Sequence, residues 1–184
     1  MRLFTAIDLD DETRQRIIEL LAVFQLTAPL LWSPPQNLHI TTKFIGDVPD
    51  SSLSKITAAL SAMPATAPFD IALSGLGWFP NPHQPRSFWI GIHSSDALPL
   101  LAKATNEALV PIGVVPQAKP FSPHLTLARV RIPGEELRPL RSTIAQLPSI
   151  EFGHFTATSF HLYLSELSST GSRYTKLEEF PFVL

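Results

Sequence analysis

The stretch Asn37-Leu38-His39-Ile40-Thr41-Thr42-Lys43-Phe44-Ile45-Gly46 returns in outline 85 positions later as Pro123-His124-Leu125-Thr126-Leu127-Ala128-Arg129. Each copy sets a His and a Thr two residues apart in an apolar run of strand composition. Successive strand side chains point to opposite faces, so His39 and Thr41 share one face, as do His124 and Thr126. Ile40 and Leu125 then point into a core. By the same parity Lys43 falls on the His39 face, whereas Arg129 falls with Leu125 and Leu127, away from His124.

Outward from this pair, one offset aligns five consecutive elements. Leu3 to Asp8 reads as a strand and matches Ser87 to His93. Asp10 offers an N-cap to a helix with Ile17, Leu20, Leu21 and Phe24 at i, i+3, i+4, i+7. Its counterpart opens at Asp96 and carries Leu98, Leu101, Ala102, Thr105 and Leu109 inward. The His strands follow, and then helices marked by Leu53, Ile56 and Leu60 and by Leu137, Leu140, Ile144 and Leu147. The strand Phe69 to Phe79, whose two glycines predict a bulge or a close backbone approach, lands on His154 to Leu164. Arg173 to Phe182 adds a last strand. The period is too long and the copies too few for a solenoid. The expected organisation is one bilobal domain over residues 1–184, with copies at about 2–80 and 86–165 and a final strand at about 173–182. Two such lobes about a pseudo-two-fold axis would bring the His faces to one cleft.

Composition limits what the cleft can serve. An apolar fraction of 45% with 16% charged residues belongs to a folded chain of 184 residues with a real core. The formal net charge of −2 excludes nucleic-acid binding through bulk positive charge, so such a partner would need a local site. No cysteine is present, which removes disulfide and thiol chemistry. The N-terminal residues lack a signal-peptide core, and no apolar run approaches the roughly 18 residues of a membrane span. A cytoplasmic monomer is the expectation. The 18 prolines, twice the usual ~5%, cluster at Ser33-Pro34-Pro35, Pro80-Asn81-Pro82 and Pro116 to Pro123 and read as stiff loops.

Two facing imidazoles, each with an ordinary pKa near 6.5, can supply a general base and a general acid together at neutral pH. That is the requirement of an in-line displacement at phosphorus. The Thr hydroxyls are short, stiff at χ1 and able to donate to phosphate oxygens. The sequence offers no His-Glu-x-x-His, cysteine cluster or Walker-type loop, so neither metal nor cofactor is expected. His83, His93, His154 and His161 have no repeated context and read as loop or surface residues.

The paired His39-Ile-Thr-Thr and His124-Leu-Thr-Leu resemble the HxTx motifs of the two-histidine phosphoesterases, and most closely the RNA 2′,3′-cyclic phosphodiesterases, also called 2′-5′ RNA ligases. Arg2 to Asp8, Phe44-Ile45-Gly46, Arg86 to Gly91, Pro120 to Arg129 and Gly171 to Tyr174 extend the likeness over nearly the whole chain. The resemblance implies an α+β fold with antiparallel sheets around a central groove. It implies hydrolysis of RNA 2′,3′-cyclic phosphate ends, tRNA fragments among them, to 2′-phosphomonoesters, and the reverse 2′-5′ ligation. His39 would then donate the proton to the leaving oxygen, His124 would accept one from water, and Thr41 and Thr126 would hold the non-bridging oxygens. Phe44 and Phe121 are candidates for base stacking, Arg86 and Arg129 for phosphate contact. A cyclic phosphodiesterase for another small cyclic nucleotide and a non-catalytic RNA-end binder are the alternatives.

Overall fold

The structure, a computed structural model, describes residues 1–131, 135–168 and 171–183. The elements run β1 (Arg2–Asp8), α1 (Asp11–Gln25), β2 (Leu31–Trp32), β3 (His39–Asp47), α2 (Leu53–Ser61), β4 (Phe69–Phe79), β5 (Ser87–Ser94), α3 (Ala97–Leu109), β6 (His124–Arg129), α4 (Arg138–Ala145), β7 (Glu151–Ala157), β8 (Ser159–Ser168) and β9 (Gly171–Pro181), with short 3-10 turns between some of them. The α+β class and the duplicated order of elements are as the sequence indicates. Asp10 caps α1 by accepting from Thr13 N at 2.9 Å, and Ile17, Leu21 and Phe24 are its buried stripe.

Among the described residues the strands form one antiparallel sheet of nine, in the order β7-β4-β5-β6-β3-β1-β8-β9, with β2 paired to β6. The order is a palindrome about the β3–β6 seam: β1 matches β5, β8 matches β4, and β9 matches β7. Each half of the sheet takes two strands from the other half of the sequence, β8 and β9 on the side of β1, and β2 and β4 beside β6 and β5. The first half's β4 pairs with β5, and the second half's β8 pairs with β1. The two lobes therefore share one continuous sheet, joined where Ile40 stands opposite Leu125.

The helices bury one face of this sheet. Leu3, Ile7, Ile40, Phe88, Ile90, Leu125 and Leu127 point into the core with Ile17, Leu21, Phe24, Leu98 and Leu101 from α1 and α3. The opposite face is left for the groove. Both glycine expectations in β4 are met: the strand bulges at Gly75, whose φ is +74°, and Trp89 closes on Gly77, where a Cβ would meet ring carbons at 2.2 Å.

Several sequence expectations change. The stretch aligned with β4 is two strands broken at Thr158, β7 and β8, because β8 must leave β7 to pair with β1. The offset of 85 holds at β3 and β6 but slips by two at β1 and β5: Ala6 faces Thr41, while Trp89, not Gly91, faces Thr126. His161 is not a surface residue. It lies in β8 with 4% of its surface exposed.

Candidate active site

β3 and β6 carry the site, and the same local device shapes each. The His39 Nδ1–H donates to the carbonyl of Asn37 at 2.7 Å, and the His124 Nδ1–H donates to that of Ser122 at 2.7 Å. A carbonyl can only accept, so each ring is held in the tautomer that turns Nε2 into the groove. In His39 that Nε2 accepts from the Thr41 hydroxyl at 2.9 Å. Because Ile40 and Leu125 are partners in an antiparallel pair, the next positions on the groove face set His39 beside Thr126 and Thr41 beside His124. All four motif residues are partly buried and meet at the seam.

A β-bulge follows each motif. Ala6 faces Thr41 and Thr5 faces Lys43, so Thr42 is an extra residue. Trp89 faces Thr126 and Phe88 faces Ala128, so Leu127 is the equivalent extra residue. A bulge inverts the alternation beyond it. Lys43 is thereby turned away from the His face that parity assigned to it. It is 2% exposed, and its Nζ donates to Asn106 Oδ1 at 2.8 Å and to the Val115 carbonyl at 2.9 Å. Phe44 and Arg129, the equivalent residues one step further on, take the groove face instead. The parity that put Arg129 behind the sheet is corrected in the same way.

Phe44 is 62% exposed, with its ring 6.4 Å from Phe4. Arg129 is exposed, pairs with Ser87, and its charge opposes protonation of His124. Arg86 is exposed at the same end of β5, and its carbonyl accepts from Val130 N at 2.9 Å. Phe121 is placed apart from these residues. It lines a recess beside α3 with Thr42, Ala102, Asn106 and Lys119.

Aromatic rings that the motif reading left without a role wall both imidazoles. Phe4, Tyr174 and Tyr163 lie 4.8, 5.3 and 6.3 Å from His39, and Phe79 and Trp89 lie 4.9 and 6.3 Å from His124. Phe4 stacks on Tyr163 at 5.1 Å, and the Tyr163 hydroxyl donates to Asp8 Oδ1 at 2.5 Å. The signal for three of them was present in the sequence, Phe4 in Arg2 to Asp8, Trp89 in Arg86 to Gly91 and Tyr174 in Gly171 to Tyr174, but no chemistry attached to them there, and Phe79 and Tyr163 lie outside those stretches.

Burial sets the charge of the pair. It pushes the His39 pKa down to about 4, against the Asn37 carbonyl and Asp8, which favour the proton, and with His124 and Arg14, which oppose it. His124 is also lowered, by burial first; the Ser122 carbonyl works against the shift and Arg129 adds to it. Two neutral imidazoles with their Nε2 atoms turned to one groove can accept a proton at one and, once a phosphate anion favours the cation, hold one at the other.

The chain matches the family model described as LigT like phosphoesterase twice, over residues 7–89 and 90–174. It is 34% identical to the RNA 2′,3′-cyclic phosphodiesterase of Archaeoglobus fulgidus over 98% of this chain and 99% of that one. It is 31% identical to the protein of that name from Methanothermobacter thermautotrophicus, over 98% of each. Among solved structures, TT0787 of Thermus thermophilus superposes with a TM-score of 0.84 at 30% identity, covering 99% of this chain and 98% of that one. E. coli LigT complexed with 3′-AMP superposes with a TM-score of 0.78 at 25% identity, covering 100% and 98%.

Proposed function

Because this chain belongs to the LigT-like phosphoesterase family, we propose that it is an RNA 2′,3′-cyclic phosphodiesterase, a hydrolase that opens terminal cyclic phosphates to 2′-phosphomonoesters. The observation that carries the mechanism is the seam itself, where two His-x-Thr strands lie side by side with both imidazoles held by carbonyls two residues upstream.

In the forward direction a water attacks phosphorus as His124 Nε2 takes its proton. The P–O3′ bond breaks, and His39 gives its proton to the departing 3′ oxygen. One O–H bond is broken and one is made, and the phosphate remains on the 2′ oxygen. The Thr41 and Thr126 hydroxyls donate to the non-bridging oxygens, Thr41 turning from His39 Nε2 once that atom carries a proton. Arg129 neutralises charge at phosphorus, Phe44 stacks on the terminal base, and Arg86 at the end of β5 meets the upstream backbone. Run in the same direction with a 5′-hydroxyl in place of water, the same steps join two RNA ends through a 2′-5′ linkage and free the 3′-hydroxyl, and run backward they cleave that linkage.

Both imidazoles come from one chain, which supports action as a monomer, and a substrate of RNA ends such as tRNA fragments would be in keeping with work in the cytoplasm. Among the described residues no helix is long and apolar enough to cross a membrane. The test is chromatography of the products from an oligoribonucleotide ending in a 2′,3′-cyclic phosphate, with EDTA present. A 2′-monophosphate is expected. A 3′-monophosphate would reverse the leaving group and overturn the mechanism, and tight binding without turnover would make the protein an RNA-end binder.

A further inference from the structure

The two-fold relation between the histidines fails at one position of the sheet. Asp8 is the β1 residue directly opposite His39, and Gly91 is the β5 residue directly opposite His124. Directly paired side chains share a face with their Cβ atoms about 5 Å apart. One imidazole therefore has a carboxylate as its cross-strand neighbour. The other has a bare backbone, and a side chain cannot be added there, because a Cβ on Gly91 would lie 2.5 Å from the Ser74 carbonyl oxygen.

We infer that Asp8 is a positioning residue for this reaction: its carboxylate, fixed opposite His39, supports a proton on that imidazole, as no cross-strand side chain does for His124. This inference rests on the phosphodiesterase reading and deepens it.

The carboxylate is held at both oxygens. Tyr163 donates to Oδ1 at 2.5 Å and Lys176 Nζ to Oδ2 at 2.7 Å. Burial works against ionisation of Asp8, but these two bonds together with the charges of His161 and Lys176 more than offset it, and the carboxyl sits below its ordinary range. Asp8 is thus a standing negative charge and not a proton carrier.

Other charged and titratable groups face His39 from every side. Arg14 of α1 donates to the Leu38 and Leu9 carbonyls, and His124 stands across the seam; both oppose a proton on His39. From β8 come Tyr163, whose hydroxyl is raised in pKa by burial and by Asp8, and His161, with Nδ1 3.7 Å from Asp8 and Nε2 3.5 Å from Glu179 of β9. Tyr174 and Lys176 complete the β9 side. Asp8 is the carboxylate that supports the His39 cation, whereas the charge acting on His124 is the cation of Arg129.

The test follows the imidazole resonances of His39 and His124 by NMR through a pH titration of the full chain. In Asp8→Asn the His39 midpoint is expected to fall by roughly one pH unit, with a smaller change at His124. Lys176→Met leaves the carboxylate unscreened and is expected to move the His39 midpoint upward. On a cyclic-phosphate oligonucleotide, Asp8→Asn is expected to lower kcat about tenfold with little change in KM. Opposite shifts in the two variants separate an electrostatic role from a packing role, which would move both the same way. An unmoved His39 midpoint in Asp8→Asn, or shifts of one sign in both variants, overturns the inference. Should Asp8→Asn not fold, an unmoved midpoint in Lys176→Met overturns it alone. No turnover of the cyclic-phosphate oligonucleotide by the unsubstituted protein, by contrast, would defeat the phosphodiesterase reading whatever Asp8 does.

Discussion

Ile40 faces Leu125 across the β3–β6 seam, and these two residues are 85 positions apart, as are the two catalytic candidates beside them. The pseudo-two-fold axis thus passes through a backbone pair and not through a gap between separate lobes. That location matters because the sheet fixes the spacing of His39 and His124 directly. No hinge lies between the motifs, and what aligns the pair for chemistry is a buried pair of aliphatic side chains on the opposite face.

His39→Ala and His124→Ala are each expected to lower turnover of a cyclic-phosphate oligonucleotide by about 10²–10⁴-fold. The core on the other side of β3 and β6 is made by Ile40, Leu125 and Leu127, all fully buried, so both variants should fold. Steady-state assays beside thermal denaturation check this. Full turnover by either variant would remove its imidazole from the mechanism.

Stability should fall with pH in a defined window. The folded-state pKa of His39 is about 4 against an ordinary 6.5, so between these values the unfolded chain binds more protons. Its contribution is complete above pH 6.5 and is lost as pH falls toward 4, and it amounts to about 3 kcal/mol. His124 and His161 are lowered by burial as well and act in the same direction. Urea unfolding at pH 7 and pH 4.5 should show the loss, and His39→Phe should lose less. Equal losses in the two proteins would contradict the His39 assignment.

The motif pair, the duplicated order of elements and the core stripes were legible in the sequence because each leaves a periodic signal. The bulges at Thr42 and Leu127 were not. A single inserted residue breaks an alternation without announcing itself, and every parity beyond it is then read backward, as it was for Lys43 and Arg129. The exchange of β4 and β8 was also hidden. Pairing partners are set by long-range packing, and an internal repeat shows which segments are alike, not which of them touch. Asp8 and Tyr163 are 155 positions apart, and neither lies in a motif, so their bond had no local signature.

Lys43 supplies a check on the first bulge. Its ammonium is buried against an amide oxygen and a carbonyl behind the sheet, with no access to a phosphate in the groove. Lys43→Met keeps the volume and removes both bonds. It leaves the Val115 carbonyl unpaired, while Asn106 Oδ1 still accepts from Gln117 N at 2.9 Å. The expected cost is about 1–3 kcal/mol of stability, with kcat and KM unchanged. A large rise in KM with stability intact would put the side chain in the groove.

Gly77→Ala should act on His124 through Trp89. The added methyl would lie 2.2 Å from the indole ring, and Trp89 packs on Phe79 at 4.9 Å with its ring 6.3 Å from His124. Displacing a packed indole is expected to cost about 1–3 kcal/mol and to change tryptophan fluorescence together with kcat. An unchanged emission spectrum with normal turnover would show that the ring does not support His124.

The equivalent residues Phe44 and Arg129 should divide binding from chemistry. Both follow a bulge and both reach the groove face, but one offers a ring and the other a guanidinium. Phe44 is 62% exposed, so Phe44→Ala removes little from the core. Loss of one base stack is worth about 1–3 kcal/mol, which should appear as a rise in KM of roughly tenfold or more with kcat nearly constant. In the proposed mechanism Arg129 acts where charge gathers at phosphorus, so Arg129→Ala should lower kcat, by about 10–100-fold for a charge-assisted hydrogen bond. Arg129→Lys keeps the charge and loses the fork, and its kcat should fall between the two. Arg129 also opposes protonation of His124. Removing it should therefore raise the His124 midpoint, moving the pH at which the base is lost upward. A kcat loss in Arg129→Ala without that shift would place the guanidinium on the substrate alone, and a shift without the loss would make it a neighbour of His124 with no part in holding phosphate.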